Sequence, residues 1–259
     1  MKNNVPYPQM ANDNIRAVIV TPIYKPSLST NEEVVLRYSL ERLRRHDVYF
    51  IAPHRLDISF YKKRFDGIRY IFFHDAYFES PHTYSQLLLT TEFYQKFITY
   101  SHMLIVQTDA IVLSDDIDRW ATGQYDFIGA PWNTPLSITM PTIVDRNAGF
   151  SGNTFFISVG NGGFSLRRIQ ACIDVLSECG WILKHIAMDE DLFFALAGQI
   201  SDNFLIPNTV CAARFSLEVA PNRFYKLTGH SPMGGHAWER WDRAFWETLF
   251  NQHGITGVR

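Results

Sequence analysis

The sequence is short of cysteine, of net charge and of long apolar runs. Its three cysteines, Cys172, Cys179 and Cys211, form no C-x-x-C pair. Cys172 and Cys179 fall in a helical stretch that separates them by roughly 10 Å along the axis, beyond the roughly 7 Å Cα separation a disulfide tolerates. A reducing compartment is the expectation. Lysine and arginine number 24 against 26 aspartate and glutamate, a net charge of −2, too near neutral for a protein built around polyanions, so nucleic-acid binding is not expected. Residues 1–15, MKNNVPYPQMANDNI, hold no apolar signal-peptide core, and no later window approaches 18 uncharged apolar residues. Neither a signal peptide nor a transmembrane span is expected, and the expected location is cytoplasmic.

What is abundant is aromatic: 20 Phe, 12 Tyr and 6 Trp. A Phe-rich core explains most of these rings, and a few are candidates to line a pocket for a flat or sugar-like ligand. With 46% hydrophobic and 19% charged residues, the 259-residue chain has the composition of a folded domain rather than a disordered one. Its length fits one α/β domain over residues 15–259, preceded by a loose polar arm over residues 1–14.

Regular alternation follows the arm. Ala17 to Thr21 reads as a strand buried on both faces, ended by Pro22. Ser29 and Thr30 each precede a glutamate by three residues, and Leu36, Leu40 and Leu43 follow at helical spacing, so a helix is expected from Thr30 to Arg45. Strands are read at Val48–Ala52, Arg69–Phe73 and Met103–Val106, with helices at Ile58–Arg64 and Tyr84–Phe97 between them. This β-α-β-α-β-α-β order implies a mostly parallel sheet flanked by helices. Ligands in such sheets sit at the carboxyl ends of the strands, where the fourth strand runs into Gln107-Thr108-Asp109. Pro131 to Asn153 reads as a long surface loop. A helix is expected from Arg168 to Cys179, and Asp189-Glu190-Asp191 opens another.

Several segments carry chemistry beside a plainer reading. Asp109 suits a hard divalent cation, which would neutralise a diphosphate, or it caps a strand-end turn. Asp115, Asp116 and Asp118 read as a solvated turn and helix cap, and the runs Arg42, Arg44, Arg45 and Lys62, Lys63, Arg64 as solvated helix faces or a peripheral contact with an anionic membrane. Gly160-Asn161-Gly162-Gly163 allows close backbone approach to a ligand or makes a tight hairpin or bulge. It is not a dinucleotide fingerprint, because Ser165 stands where the third glycine would be, nor a P-loop, lacking Gly-Lys-Ser/Thr. Asp189, Glu190 and Asp191 suit the positive end of a helix dipole, and one of Glu190 and Asp191 is a candidate general base. His230 and His236 lie in a glycine-rich segment that reads as flexible, and His236 is a candidate metal or phosphate ligand.

In this order the segments resemble the GT-A class of nucleotide-sugar glycosyltransferases. More closely, they are similar to a poorly characterised bacterial GT-A-like family with Q-T-D at a strand end, I-G-A-P-W, N-G-G-F-S-L-R, an E-D helix start and a late G-x-H-x-W. Here these stand as Gln107-Thr108-Asp109, Ile128 to Trp132, Asn161 to Arg167, Glu190-Asp191 and Gly234 to Trp238. The resemblance covers about residues 16–240 and implies a Rossmann-like GT-A fold. It implies an inverting transfer of a sugar from a nucleotide-sugar donor, with UDP favoured, to a hydroxyl of a glycan or glycolipid acceptor in bacterial surface polysaccharide assembly. It also implies catalytic roles for Asp191 and Glu190, with Asp191 matching the base. Donor binding would involve Thr21, Pro22, Tyr24, Gln107, Thr108, Asp109, Asn161, Gly162 and Gly163. Mn²⁺ or Mg²⁺ would bind at Asp109 and His236, with the acceptor against Trp132, Phe164 and Trp238; Phe127 is a further candidate platform. Gln107 departs from the family's D-x-D pattern. That favours, as an alternative, a degenerate domain that binds nucleotide or glycan without turnover. A sugar nucleotidyltransferase ranks lower, because the loop from Thr21 to Pro26 lacks glycine.

Overall fold

Chain order and sheet order diverge at two points, and one of them opens the cleft. The computed structural model describes residues 15–142 and 148–258, so the arm expected over residues 1–14 lies outside the described residues. Strands β1 (Ala17–Pro22), β2 (Asp47–Pro53), β3 (Arg69–Phe73) and β4 (His102–Val106) are mutually parallel, with β2 and β3 to one side of β1 and β4 to the other. A short β5 (Ile111–Val112) follows, then β6 (Phe127–Thr139) and β7 (Thr154–Arg168). The main sheet runs β3-β2-β1-β4-β7-β6, with β7 antiparallel to both neighbours. Strands β8 (Ser216–Leu217) and β9 (Gly234–Gly235) join β5 in a second small sheet, β5-β9-β8. The expected mixed α/β fold, mostly parallel and flanked by helices, is observed.

Ten α-helices are described: α1 (Thr30–Arg42), α2 (Ser59–Arg64), α3 (Pro81–Leu88), α4 (Thr91–Gln95), α5 (Ile117–Ala121), α6 (Ile169–Cys179), α7 (Glu190–Ile200), α8 (Thr209–Phe215), α9 (Pro221–Thr228) and α10 (Arg243–Gln252). Successive residues of a strand face opposite sides, and the core follows that rule. Val18, Val20, Ile51, Met103 and Ile105 pack with Leu87, Phe93, Cys172 and Phe194 from α3, α4, α6 and α7. Ile19, Phe50, Leu104 and Val106 face the other way, against Leu36, Tyr61, Ile117 and Phe215 from α1, α2, α5 and α8. Each such side chain removed from water contributes about 1.5–3 kcal/mol before entropy is counted. A third cluster, with Ile111, Leu217, Trp238, Trp246 and Phe250, anchors the small sheet under α10.

Local chemistry explains where elements depart from expectation. Of the two possible caps of α1 only Ser29 acts: its Oγ accepts from the Glu32 N–H, and the Glu32 side chain accepts from the Ser29 N–H. The helix ends at Arg42 rather than Arg45. The stretch from Tyr84 to Phe97 is two helices, because the Thr90 hydroxyl caps a fresh start by accepting from the Phe93 N–H. Of the surface loop expected from Pro131 to Asn153, residues 131–139 are strand, since β6 continues to Thr139 along β7, and residues 143–147 lie outside the described residues. Gly160 to Gly163 is no hairpin either; it runs inside β7, where the pairing with β6 shifts register between Ile128 and Pro131.

Candidate functional site

From β1 and β4, adjacent in the sheet, the strand order proceeds in opposite directions, to β2 on one side and β7 on the other. Their carboxyl ends therefore form a topological switch point, where α/β sheets open a crevice. A cleft of about 440 Å³ lies there, lined by residues that include Tyr24, Lys25, Glu32, Tyr84, Gln107 and Asp109. Pro22 and Thr108 reach it as well. Glu32 does more than cap α1: its carboxylate also accepts from the Thr108 hydroxyl at 3.1 Å and the Lys25 ammonium at 3.3 Å. Burial works against its charge, yet the Ser29 and Lys25 hydrogen bonds hold the carboxyl below its usual range. Glu79 and Glu239 also line the cleft, whose only lining cation among the described residues is Lys25.

The small sheet builds a second part of the site. Pairing of β9 with β5 brings His236, just after β9, beside Asp109, just before β5; pairing of β9 with β8 brings Glu218 to the other side of the ring. His236 Nδ1 lies 3.1 Å from Glu218 Oε2, and Nε2 lies 3.0 Å from Asp109 Oδ1. Burial opposes a charged imidazole, but the two flanking carboxylates push its pKa up to about 10. The same partner, helped by Lys25, holds Asp109 below the carboxylate range although burial acts the other way. Nε2 is buried without a well-directed hydrogen bond, so it and Asp109 face one another as two ligands of a common ion would. Ala237 turns the chain through the left-handed region, at φ 51°, which sends His236 towards Asp109 and Trp238 into the core. Such a turn at a residue with a Cβ costs about 1 kcal/mol and is characteristic of functional positions.

The glycines of β7 are there for proximity. A Cβ on Gly163 would lie 2.4 Å from the His236 ring, one on Gly162 2.5 Å from Glu190 Oε1, and one on Gly160 2.9 Å from the Asp191 carbonyl oxygen and 2.7 Å from the Trp132 ring. The stretch thus passes His236, Glu190 and Asp191 in turn, over three residues of strand, about 10 Å. Asp191 is half-buried at the start of α7, and burial, then the neighbouring Glu190 charge, raise its pKa to about 7.

Asp109 and His236 are brought together, and Asp191 stands beyond them along β7; Asn161 lies between, its amide Nδ2 buried without a partner. Other expected roles need correction. Glu190 is not a free carboxylate: it is buried against Arg167 at 3.2 Å, so it is not the base. Phe164 and Trp238 are each 1% exposed, and Phe164 stacks on Phe215 with centroids 5.1 Å apart, so neither can touch an acceptor; Phe127 is likewise fully buried. Trp132 keeps partial exposure. Thr21 is fully buried at the end of β1 and offers no surface to a donor. The segment around His236, expected to be flexible, is instead buried strand and turn. Asp115 and Asp118 are ion-paired to Arg45, and Asp115 also to His46, rather than merely solvated. Lys25, Tyr84, Arg167 and Glu218 carried no role in the sequence. Arg167 closes the N-G-G-F-S-L-R segment, which was its one signal; Glu218 has none, because only the pairing of β8 with β9 brings it to His236.

The model of the family described as "protein of unknown function (DUF5672)" matches residues 67–236, more than half of the chain. The chain belongs to this family. In DUF5672 terms, the matched span runs from β3 through β9 and contains Asp109, the β7 glycines, Asp191 and His236. A search among curated proteins returns no significant match. Among solved structures, an active-site mutant of LgtC superposes with a TM-score of 0.52 at 16% identity, covering 93% of this chain and 97% of that one. A complex of galactosyltransferase LgtC with donor and acceptor sugar analogues gives 0.49 at 15%, with the same coverage. The 4-diphosphocytidyl-2C-methyl-D-erythritol synthase of Anaerococcus prevotii gives 0.45 at 8%, covering 75% and 87%. The last two fall below 0.5 and add nothing. The first shows the fold of this DUF5672 member to be GT-A-like.

Proposed function

We propose that the protein is a glycosyltransferase that moves a sugar from a nucleotide-sugar donor, with UDP favoured, to a hydroxyl of a glycan or glycolipid, with inversion, in bacterial surface glycan assembly. The observation that carries this reading is the separation of two functions along β7. Asp109 and His236, which would hold a cation, stand at one end; at the other, the Asp191 backbone carbonyl packs on Gly160, and the same residue carries a carboxyl whose pKa is raised to about 7.

Asp109 and His236 fit a divalent cation by the chemistry of their donors, an oxygen and an imidazole nitrogen whose proton the cation would displace, and by the buried Nε2 that lacks a well-directed hydrogen bond. Glu218, on Nδ1, would orient the ring from behind. Among the described residues no group of three His, Cys, Asp or Glu is disposed to hold a metal ion by itself; with Gln107 in the D-x-D pattern, the remaining ligands would be donor phosphates and water. Charge balance favours a cation. Glu32, Glu79, Asp109, Glu218 and Glu239 outnumber Lys25 and a protonated His236, so a diphosphate would meet net repulsion without one. Mn²⁺ or Mg²⁺ there would offset charge on the departing nucleoside diphosphate.

Asp191, deprotonated above pH 7, takes the acceptor's hydroxyl proton as that oxygen attacks the anomeric carbon from the face opposite the diphosphate. Trp132, half-exposed over Gly160, is the remaining aromatic platform for the acceptor. No helix among the described residues is long and apolar enough to cross a membrane; a cytoplasmic enzyme at the inner membrane face belongs to the proposal. Gln107 favours a second reading, donor binding without turnover.

Asp191→Asn tests the assignment. Turnover should fall by about 10²–10⁴-fold, by loss of the base, while donor affinity stays within ~2-fold. Unchanged turnover would remove Asp191 from the mechanism, and donor binding with no turnover in the wild type would establish the second reading.

A further inference from the structure

Behind Asp191 lies a buried charge network that the reaction as outlined does not use. Arg167, on β7, is 0% exposed. Its Nη1 donates to the Tyr94 hydroxyl at 2.9 Å, its Nε to Ser165 Oγ at 3.1 Å and its Nη2 to Glu190 Oε1 at 3.2 Å. The rings of Phe127 and Phe194 lie 5.0 and 5.6 Å from the guanidinium carbon. Ser165 Oγ donates in turn to the Gly162 carbonyl at 2.8 Å, and the Glu190 N–H donates to Ser85 Oγ on α3. Burial works against the guanidinium's charge, but Tyr94 and Glu190 hold it above its usual value. Stability alone does not call for such a pair, since apolar residues of the same volume often serve as well or better.

Resting on the glycosyltransferase reading, we infer that Arg167 and Glu190 are positioning residues whose buried ion pair ties the glycine stretch of β7 to the first turn of α7, fixing the Asp191 carboxyl relative to Asp109 and His236. The tie is short on both sides: Glu190 Oε1 is wedged between Arg167 and the Gly162 backbone, and Asp191 is the next residue. A second consequence is electrostatic. The charged groups around Asp191 are Glu190 and Asp189 beside it, Arg167 from β7 and, bound to Asp189 at 2.8 Å, His82 from α3. The Leu192 N–H also donates to the Asp191 carboxylate. Glu190 is the strongest of the charges, so the residue that holds the base in place also keeps its proton affinity high.

Titration of the Asp191 side-chain carboxyl by ¹³C NMR in the full chain, assigned by its loss in Asp191→Asn, tests this whether or not sugar transfer is the reaction. The Asp191 midpoint should drop by about one pH unit in Glu190→Gln. A smaller drop is expected in Arg167→Met/Glu190→Gln, because the lost guanidinium itself lowers the Asp191 midpoint; this variant leaves no unpaired buried cation and so guards against misfolding. Glu190→Asp, which keeps the charge but shortens the arm, should hold the midpoint near that of the wild type. In hydrolysis of UDP-glucose or UDP-galactose with Mn²⁺, it should lower kcat while donor KM moves less than ~2-fold. A midpoint that does not move in either charge-removing variant overturns the inference. So does a Glu190→Asp enzyme whose kcat equals that of the wild type. Failure of the wild type to bind any nucleotide sugar would instead overturn the reading beneath it, leaving the NMR result to decide the clamp.

Discussion

Gly163→Ala is the sharpest single test of the site's geometry. The added methyl would sit 2.4 Å from Cε1 and Nδ1 and 2.5 Å from Cγ of His236, where carbon atoms rest at about 3.5–4.0 Å. Something must therefore move by about 1 Å. The imidazole cannot retreat freely. Nδ1 is held by Glu218, Nε2 faces Asp109, the His236 N–H donates to the Leu217 carbonyl at 3.1 Å, and Ala237 already sits in a strained turn. Overpacking of this kind costs about 1–3 kcal/mol, offset by about 0.4–1 kcal/mol from the stiffer unfolded chain. The net loss, from near zero to about 2.6 kcal/mol, lowers Tm by up to about 10 °C. Function should suffer far more, because displacing a positioned group by 1 Å costs about 10²-fold. Thermal melts and Mn²⁺-dependent UDP-hexose hydrolysis measure the two effects together. Gly180→Ala, at a φ of −59° with nothing within 4 Å of the new methyl, is the matched control: it should leave turnover unchanged and raise Tm by no more than about 4 °C. Wild-type turnover in Gly163→Ala would refute the claim that His236, packed on that glycine, takes part in the reaction.

Other outcomes follow from burial and charge. Phe164→Ala should cost about 3–5 kcal/mol in urea denaturation, as for a core ring, whereas Trp132→Ala should leave stability nearly intact and raise acceptor KM. Equal stability losses would undo that division of roles. Asp115, despite partial burial, is held at about 2 by hydrogen bonds and charge from His46 and Arg45, below its ordinary 3.8. Its pairing therefore stabilises the fold above pH 4 and is lost as pH falls from about 4 to 2; urea midpoints of Asp115→Asn should decline less over that range than those of the wild type. Turnover should rise with pH through about 7 as Asp191 loses its proton; an acid limb at the ordinary carboxylate range would contradict the environment described for it.

The main sheet was legible because buried parallel strands are continuous apolar runs, as in AVIVT and MLIV, and because Ser29 with Glu32 marks a helix start by chemistry alone. Asp109, Asp191 and His236 stood out because each borders a recognisable local pattern. The small sheet was not legible. Strands of two residues, such as Gly234-Gly235, carry no periodicity, so nothing local tied Glu218 to His236 or showed the glycine-rich segment to be buried. Phe164 and Trp238 misled for a related reason: neighbours in sequence of a cleft residue point to the opposite face of a strand or turn. Arg167 carried no role and Glu190 read as a candidate catalytic carboxylate, since burial of an ion pair is a property of packing between β7 and α7.

The central claim, that the cleft between β1 and β4 takes a nucleotide sugar with help from a divalent cation, is tested most directly by a panel of nucleotide sugars assayed for binding and hydrolysis with and without Mn²⁺. At least one donor should bind more tightly and be hydrolysed faster with Mn²⁺ present. Failure of every nucleotide sugar to bind in both conditions would contradict the account.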